Sequence, residues 1–255
     1  MLEKPIVVYT NHFTNRHLCY NFAYGSKSLM CHIDNFKDYN KTIATYGYLR
    51  GTGELIKKVR NFIYMDHGYF KQSDRVFEKN KTKISNYNGY FRVVVNDFWH
   101  DGSGKKSEDR LKKLDLKFKN LNKSGEYIIL SEPTDDAKNY YGLKNWINET
   151  MNEIKKYSDR KIIIHNRTSA LPLNDLLKDA WAFVSDHSSA GFQAMISGVP
   201  AYFTNKTLSK IGKLEDLENH EINYKIFNNL AYQQWTISEI KSGECWAQIS
   251  SNNKI

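Results

Sequence analysis

The sequence contains few cysteines and no long apolar run. No stretch of its 255 residues approaches the roughly 18 consecutive apolar residues that a membrane-spanning helix needs. The opening MLEKPIVVYTNH lacks the basic stretch followed by an apolar segment that marks a secretion signal. Three cysteines without CxxC spacing favour free thiols in a reducing compartment over a disulfide framework or a zinc site. We therefore expect a soluble protein of the cytoplasm with no membrane span.

Metal-ligand spacings are also absent. The 8 histidines form neither HExxH nor HxxxH beside an acidic cluster. The sequence therefore predicts no catalytic metal.

Positive charge is in excess. The 37 Lys and Arg residues outnumber the 28 Asp and Glu residues, which gives a net charge of +9. Such a balance favours polyanionic partners, among them nucleic acid, nucleotides and an anionic membrane face. Lysine and asparagine are abundant throughout, so an ordinary solvated surface explains part of this charge equally well.

Apolar strands alternate with helical segments along most of the chain, which predicts an α/β fold with parallel sheets. A polar stretch from Trp99 to about Gly125 separates two such halves. We expect two Rossmann-like domains, residues 1–120 and 121–255, whose sheets face a cleft. The terminal helices belong to the second domain in this division, and residues 71–90 are expected to form a long loop.

The stretch FVSDHSSAGFQAMISGVPAYF, from Phe183 to Phe203, combines a strand, small polar residues, a helix and a second strand. Parallel α/β sheets bind ligands where a strand ends and the next helix begins, because unpaired N–H groups converge there. Ser188, Ser189 and Gly191 occupy that place and predict a diphosphate cradle. Simple N-capping by serine and close packing at the glycine are the structural alternative.

Residues 126–204 resemble the donor half of GT-B glycosyltransferases, in which a basic residue after one strand precedes a Ser/Gly-rich turn and a Gly-x-Pro turn. The resemblance implies that Arg167 neutralises the donor diphosphate and that Ser188 and Ser189 bind it. Gln193 stands where the family usually has a glutamate that holds the ribose hydroxyls. EYIILSEPTDD resembles the first donor-domain strand, which makes Ser131 and Thr134 candidates for base or phosphate contact. The implied donor is a nucleotide-sugar, with a UDP-sugar favoured.

The amino-terminal half carries DHGYF and, further on, YFRVVVNDFWH, while the chain ends in LAYQQWTISEIKSGECW. These motifs resemble uncharacterised phage and bacterial GT-B-like proteins, and by analogy the phage β-glucosyltransferases that modify hydroxymethylcytosine in DNA. An inverting transfer needs a base near the acceptor hydroxyl. Asp66 is the first candidate and His67 the alternative, against a purely structural turn. Arg92 lies inside an apolar strand and is expected to pair with a structural carboxylate, Asp97 or Asp66.

Three functions remain open on these grounds. The favoured one is a glycosyltransferase that acts on hydroxymethylated pyrimidines in DNA, in the host cytoplasm if the chain is phage-encoded. Lysines that suit phosphate tracking support it; they lie between Lys71 and Lys83 and at Lys105, Lys106, Lys112 and Lys113. The alternatives are a glycosyltransferase of capsule or envelope polysaccharide and a non-catalytic nucleic-acid-binding protein.

Overall fold

A computed structural model of the protein describes residues 2–78, 81–84 and 86–252. The chain divides into two units. The first unit comprises the described residues up to His100 together with those from Tyr232 onward, and the second comprises Asp101–Ala231. The two units are described in turn.

The first unit contains a mixed sheet with helices packed on it. Its strands and helices, in chain order, are β1 (Ile6–Tyr9), α1 (Phe13–Ser26), β2 (Met30–His32), β3 (Ile43–Tyr46), α2 (Thr52–Ile56), β4 (Phe62–His67), β5 (Arg75–Glu78), β6 (Lys81–Ile84), β7 (Phe91–Val95), β12 (Gln234–Trp235), α9 (Ile237–Ser242) and α10 (Glu244–Asn252).

Six of these strands form one sheet in the order β12-β7-β4-β3-β1-β2. The four strands β2, β1, β3 and β4 are parallel, as expected from βαβ alternation. β7 runs antiparallel to β4. The segment between β4 and β7 contains the β5–β6 hairpin and no crossover helix among its described residues, so the chain returns in the opposite direction. The expectation of a long loop over residues 71–90 was wrong, because this segment contains the two strands of the hairpin. Residues 79, 80 and 85, including Lys79, lie outside the described residues.

Helices α1, α9 and α10 pack together in the first unit. Leu18 and Phe22 of α1 are buried in one core with Ile240 of α9 and Ile249 of α10. Gly25 permits this approach, because an added Cβ there would lie 2.0 Å from the backbone oxygen of Ile240. The sequence-based division into 1–120 and 121–255 therefore differs from the observed units, since the terminal helices pack on α1 and the second unit starts at Asp101.

The second unit is built on a four-stranded parallel sheet in the order β11-β10-β8-β9. Its strands and helices, in chain order, are α3 (Asp109–Lys113), β8 (Tyr127–Ser131), α4 (Asp135–Tyr141), α5 (Trp146–Ile154), β9 (Lys161–His165), α6 (Leu173–Leu176), β10 (Ala180–Ser185), α7 (Ala190–Ile196), β11 (Ala201–Phe203) and α8 (Ile226–Ala231). These four strands coincide with the apolar runs EYIIL, KIIIH, WAFVS and PAYF of the sequence.

Alternate side chains of the central strands cover the two faces of this sheet. Ile128 and Leu130 of β8 pack with Val184 of β10 and Trp146 of α5 in one core. Burial of both faces explains the near-continuous apolar runs of β8 and β10.

Within the described ranges, no helix combines the length and the apolar character that crossing a bilayer requires.

Candidate functional site

Strands of the second unit end level with one another. Ser131, the last residue of β8, is in register with His165 of β9 and with Ser185 of β10. Ligands of parallel α/β sheets bind beyond these carboxyl ends, where helix amino termini and loop side chains converge. We call the segments that leave the three strands, residues 132–134, 166–172 and 186–189, the edge loops.

The first edge loop follows β8 and leads into α4. Thr134 is the N-cap residue of α4, and its hydroxyl oxygen accepts a hydrogen bond of 3.3 Å from the N–H of Ala137. Its oxygen therefore already satisfies one of the free donors of the helix. Ser131 is half-buried at the strand end, and no hydrogen bond of its hydroxyl occurs within the described ranges.

Glu132 links the first edge loop to the second. Its carboxylate accepts hydrogen bonds from Nζ of Lys138, at 2.5 Å, and from Nδ2 of Asn166, at 3.0 Å. These two hydrogen bonds hold the pKa of Glu132 below its ordinary value. Asn166 in turn accepts a 3.0 Å bond from the N–H of Thr168, which shapes the turn after β9.

Arg167 lies in this shaped turn with an exposed side chain. Across the described part of the chain, its guanidinium makes neither an ion pair nor a hydrogen bond. An arginine that is held at the carboxyl end of a sheet and lacks a protein carboxylate can bind an anionic ligand in bidentate fashion. The structure places Arg167 in the edge loop after β9, and its contact with a donor diphosphate stays a prediction.

Ser188 and Ser189 precede α7 in the third edge loop, and both are half-exposed. The hydroxyl oxygen of Ser188 accepts a hydrogen bond of 3.2 Å from the N–H of Ala190, and its own N–H donates to Oγ of Ser185 at 3.3 Å. Ser189 is the N-cap residue and makes no side-chain cap bond. The capping alternative therefore applies to Ser188, and the hydroxyl of Ser189 is left for other contacts.

Gly191 allows α7 to pack closely on Phe203 of β11. A Cβ at this position would lie 2.6 Å from Cζ of Phe203, whose ring is buried beneath α7. Of the two interpretations of this glycine, close helix-to-strand packing is the one with direct geometric support.

We expect Gly191→Ala to lower the free energy of unfolding by about 1–3 kcal/mol, the usual cost of overpacking a core. Urea unfolding measures this change. Ser189→Ala is the matched control at the start of the same helix, and because it removes no cap bond its effect should stay within about 0.5 kcal/mol. Equal stabilities of the wild type and the Gly191→Ala variant would show that the ring of Phe203 moves aside without loss of stability, which would contradict the packing role of this glycine.

Gln193 is exposed, and its Nε2 donates a hydrogen bond of 2.7 Å to Oδ1 of Asn174 in α6. The side chain that the resemblance assigns to the ribose hydroxyls is therefore engaged with a neighbouring helix. Because both side chains are exposed, a hydrogen bond from Gln193 to a ligand can replace this one at a small cost in free energy.

A buried hydrogen-bond network ends in the third edge loop. Nε1 of Trp146 donates to Oγ1 of Thr204 at 2.7 Å, and that hydroxyl donates to Oδ1 of Asp186 at 2.8 Å. The other carboxylate oxygen of Asp186 accepts from Nδ1 of His187. Asp186 is buried, His187 is half-buried, and the imidazole lies 4.5 Å from the ring of Tyr141. We call these four hydrogen-bonded residues, Trp146, Thr204, Asp186 and His187, the carboxylate network.

This network fixes the proton of His187 on Nδ1, because a carboxylate only accepts. A buried aspartate that orients an imidazole at a strand end is a recurrent arrangement of catalytic and ligand-binding sites. Neither Asp186 nor His187 has a role among the predictions from the sequence. The available signal was the pair Asp-His at the end of a buried strand, directly before the Ser-Ser turn.

In the first unit, Asp66 forms an ion pair at the end of β4. Its carboxylate accepts from Nη2 of Arg92 at 3.1 Å and from the Tyr64 hydroxyl at 2.8 Å. Burial raises the pKa of Asp66, but the charges of Arg92 and His67 and the hydrogen bonds outweigh it and leave the pKa below its ordinary value. The predicted pairing of Arg92 with a structural carboxylate is confirmed for Asp66.

Arg92 is held on every side. Its Nε donates to the carbonyl of Phe98 at 2.9 Å, its Nη1 donates to the carbonyl of His67 at 2.6 Å, and its guanidinium lies 3.8 Å from the ring centroid of Trp99. Asp66 is thus an ionised partner of a buried arginine, which is a structural role. A depressed pKa and occupied lone pairs make Asp66 a weak proton acceptor.

His67 lies beside Asp66 and is half-buried. Its Nε2 is 3.4 Å from the hydroxyl of Tyr46, the last residue of β3. The imidazole stacks at 6.1 Å from Phe91. Between the two predicted bases, this geometry favours His67, because its imidazole is not committed to an ion pair with a buried arginine as the Asp66 carboxylate is.

No protein-family model and no curated protein matches the chain. Among solved structures, the beta Kdo 2,7 transferase of Thermosulfurimonas dismutans KpsC aligns with a TM-score of 0.53 at 9% identity, and the match covers 96% of this chain and 100% of that chain. The beta Kdo 2,4 transferase of the same KpsC aligns with a TM-score of 0.49 at 12% identity, over 91% of this chain and 90% of that chain.

The first of these likenesses extends over both units. It confirms the predicted fold class, α/β with Rossmann-like sheets of the GT-B type. It does not show the finer resemblance to phage DNA glucosyltransferases.

Residues 2–78, 81–84 and 86–252 contain no cluster of three or more His, Cys, Asp and Glu side chains that could hold a metal ion.

Proposed function

We propose that the chain is a glycosyltransferase that binds a nucleotide-sugar at the edge loops of the second unit and transfers the sugar to a hydroxyl of a saccharide acceptor. The carboxylate network carries this proposal, because it orients His187 at the carboxyl edge of the sheet. Three further candidates for phosphate contact, Arg167, Ser188 and Ser189, follow strands at that same edge.

The chemistry of such a site is electrostatic. Sugar transfer leaves negative charge on the departing phosphate, and fixed N–H, O–H and cationic groups at the strand ends stabilise that charge. Arg167 supplies a full positive charge and Ser189 an uncommitted hydroxyl. The hydrogen bond from Nδ1 of His187 to Asp186 fixes the orientation of the imidazole at the strand end.

The acceptor hydroxyl needs a proton acceptor, and we assign this role to His67 of the first unit. Asp66 then orients the local backbone, since its Oδ1 accepts the N–H of His67 at 2.8 Å. In this assignment Asp66 and Arg92 are positioning residues.

A saccharide acceptor of the capsule or envelope type is favoured over hydroxymethylated DNA. The aligned structure with the TM-score of 0.53 is named as a Kdo transferase of KpsC, which supports a sugar acceptor by analogy of fold. The DNA alternative depends on net charge, and Lys112, one of its lysines, is paired with Glu108 at 3.2 Å.

A donor and acceptor panel tests the proposal. UDP-hexoses and nucleotide-activated Kdo are incubated with the protein and with saccharide acceptors, and in parallel with DNA that contains 5-hydroxymethylcytosine. Mass spectrometry is expected to find the added sugar on a saccharide. Sugar found only on the DNA would instead support a glycosyltransferase that modifies DNA. Binding of DNA without any sugar transfer would favour a non-catalytic nucleic-acid-binding protein.

Arg167→Ala is expected to weaken nucleotide-sugar binding about tenfold or more, because a charge-assisted contact to phosphate is lost. Titration calorimetry measures the affinity. Lys161→Ala removes an exposed cation from the other end of β9 and is the matched control, with an expected change below about twofold. Arg167→Lys should recover part of the affinity. Unaltered binding by the alanine variant would place the phosphate elsewhere.

A further inference from the structure

Helix α1 exposes aromatic side chains along one side. The exposed fractions are 73% for Phe13, 56% for Tyr20 and 63% for Tyr24. Separations of seven and four residues bring the three onto one side of the helix, over about 16 Å of its length. We call these three residues the aromatic stripe.

The stripe contributes little to the packing of α1. The helix buries Leu18, Cys19 and Phe22 on its other side, in the core that it shares with α9 and α10. Scattered exposed apolar residues are ordinary, whereas aligned ones mark an interaction surface.

Cations flank the stripe. Arg16 and Lys27 are exposed, and in the described part of the chain neither forms an ion pair. Nζ of Lys241 in α9 lies 5.7 Å from the ring centroid of Tyr24. No acidic residue occurs between Glu3 and Asp34.

The two helices packed on α1 each contribute one acidic residue, Glu239 of α9 and Glu244 of α10. The carboxylate of Glu239 is committed to a capping box with Thr236. Three cations, Arg16, Lys27 and Lys241, outnumber these two carboxylates, so the surface around the stripe has an excess of positive charge, which complements an anionic partner.

We propose that the aromatic stripe docks the protein on an anionic membrane surface. Tyrosine and phenylalanine rings occupy the headgroup level of bilayers, and basic side chains beside them attract anionic lipids. Leu29, just beyond α1, is 78% exposed and adds an aliphatic group that the lipid interface accommodates. This aliphatic contact favours lipid over a soluble polyanion such as an acidic polysaccharide.

Vesicle flotation tests the proposal without any sugar donor, so its outcome is independent of the proposed function. The full chain is mixed with vesicles of phosphatidylcholine alone or with about 30% phosphatidylglycerol, on the order of the anionic content that basic segments detect. We expect binding to the anionic vesicles and at least an about fivefold weaker partition into the neutral ones. Tyr20→Ser/Tyr24→Ser should reduce anionic-vesicle partition about tenfold, and Arg16→Gln about fivefold.

Tyr39→Ser is the matched control. Tyr39 is 41% exposed, and Nζ of Lys58 lies 5.9 Å from its ring centroid, so its environment is similar. It packs against Phe36, which belongs to the core with Val8, whereas α1 packs in the core with Val7, on the other face of the sheet. This variant should bind vesicles like the wild type, and circular dichroism verifies that all variants are folded.

Equal partition of the double variant and the wild type would overturn the proposal, as would equal binding to neutral and anionic vesicles. Absence of vesicle binding together with stripe-dependent binding of an acidic polysaccharide would assign the surface to a soluble polyanion instead. Loss of binding in Tyr39→Ser to the same extent would show a nonspecific effect and would also contradict the proposal.

Discussion

The Asp186→Asn variant is expected to transfer sugar about 100-fold or more slowly than the wild type. The carboxylate accepts the Nδ1 proton of His187, whereas an amide nitrogen in its place donates and forces the imidazole into another tautomer or orientation. Steady-state kinetics with the donor identified by the panel measures the change. Because the substituted amide side chain retains an oxygen for the Thr204 hydroxyl, most of the network survives and the protein should remain folded.

Two comparisons show whether Asp186 acts by orienting His187 or by stabilising the fold. Asp186 acts through His187, so the loss should appear in kcat and in the pH profile more than in KM. His187→Ala should lose activity to a similar extent, and the double variant should lose little more, because the two residues act as a unit. An Asp186→Asn variant with activity within about threefold of the wild type would remove the carboxylate network from the mechanism.

Arg92→Met is expected to lower the free energy of unfolding by about 3–5 kcal/mol. The substitution leaves the Asp66 carboxylate without its ion-pair partner, and removal of one member of a buried pair has this order of cost. It also leaves the carbonyls of His67 and Phe98 without their side-chain donor. Urea unfolding measures the loss. The double variant Arg92→Met/Asp66→Asn should recover part of it, and a single variant as stable as the wild type would refute the structural role.

The pH dependence of this pair has a definite sign. The folded-state pKa of Asp66 lies below the ordinary value of 3.8, so ionisation of this carboxylate favours the folded state. The stability it contributes is fully present above the ordinary pKa and is lost as pH falls through the lowered one. The difference in stability between wild type and Asp66→Asn should therefore be constant from about pH 7 to about 5 and shrink at more acidic pH. A difference that grows under acidic conditions would contradict the assigned shift.

Three strands of the second unit, β8, β10 and β11, could be predicted from sequence because they are buried on both faces. β8, β9 and β10 are apolar runs that end in a polar residue, β11 is an apolar run followed by Thr204, and this local pattern leaves little freedom for another assignment. β7 had an equally clear pattern, yet its direction depended on the connection from β4, which local periodicity does not encode. The position of α9 and α10 on α1 depended on long-range packing at Gly25, again outside any local window.

The candidate site was predictable to a similar degree. The edge loops follow from the rule that parallel strands present ligands at their carboxyl ends, and the rule drew attention to Arg167, Ser188 and Ser189. The carboxylate network was not found, because Thr204 and Trp146 reach Asp186 only through the fold. The choice between Asp66 and His67 also required structure, since the partner of Arg92 had two candidates in the sequence.

Hydrogen exchange in the presence of a nucleotide-sugar tests the central claim, that the donor binds at the edge loops, most directly. Donor from the panel, at about twice its dissociation constant for the wild type, should slow exchange of amides in residues 131–134, 165–169 and 186–191, with smaller changes elsewhere in the second unit. The Arg167→Ala variant at the same donor concentration should lose most of this protection. Protection confined to other segments, or protection of the edge loops that persists unchanged in the variant, would contradict the donor site described here.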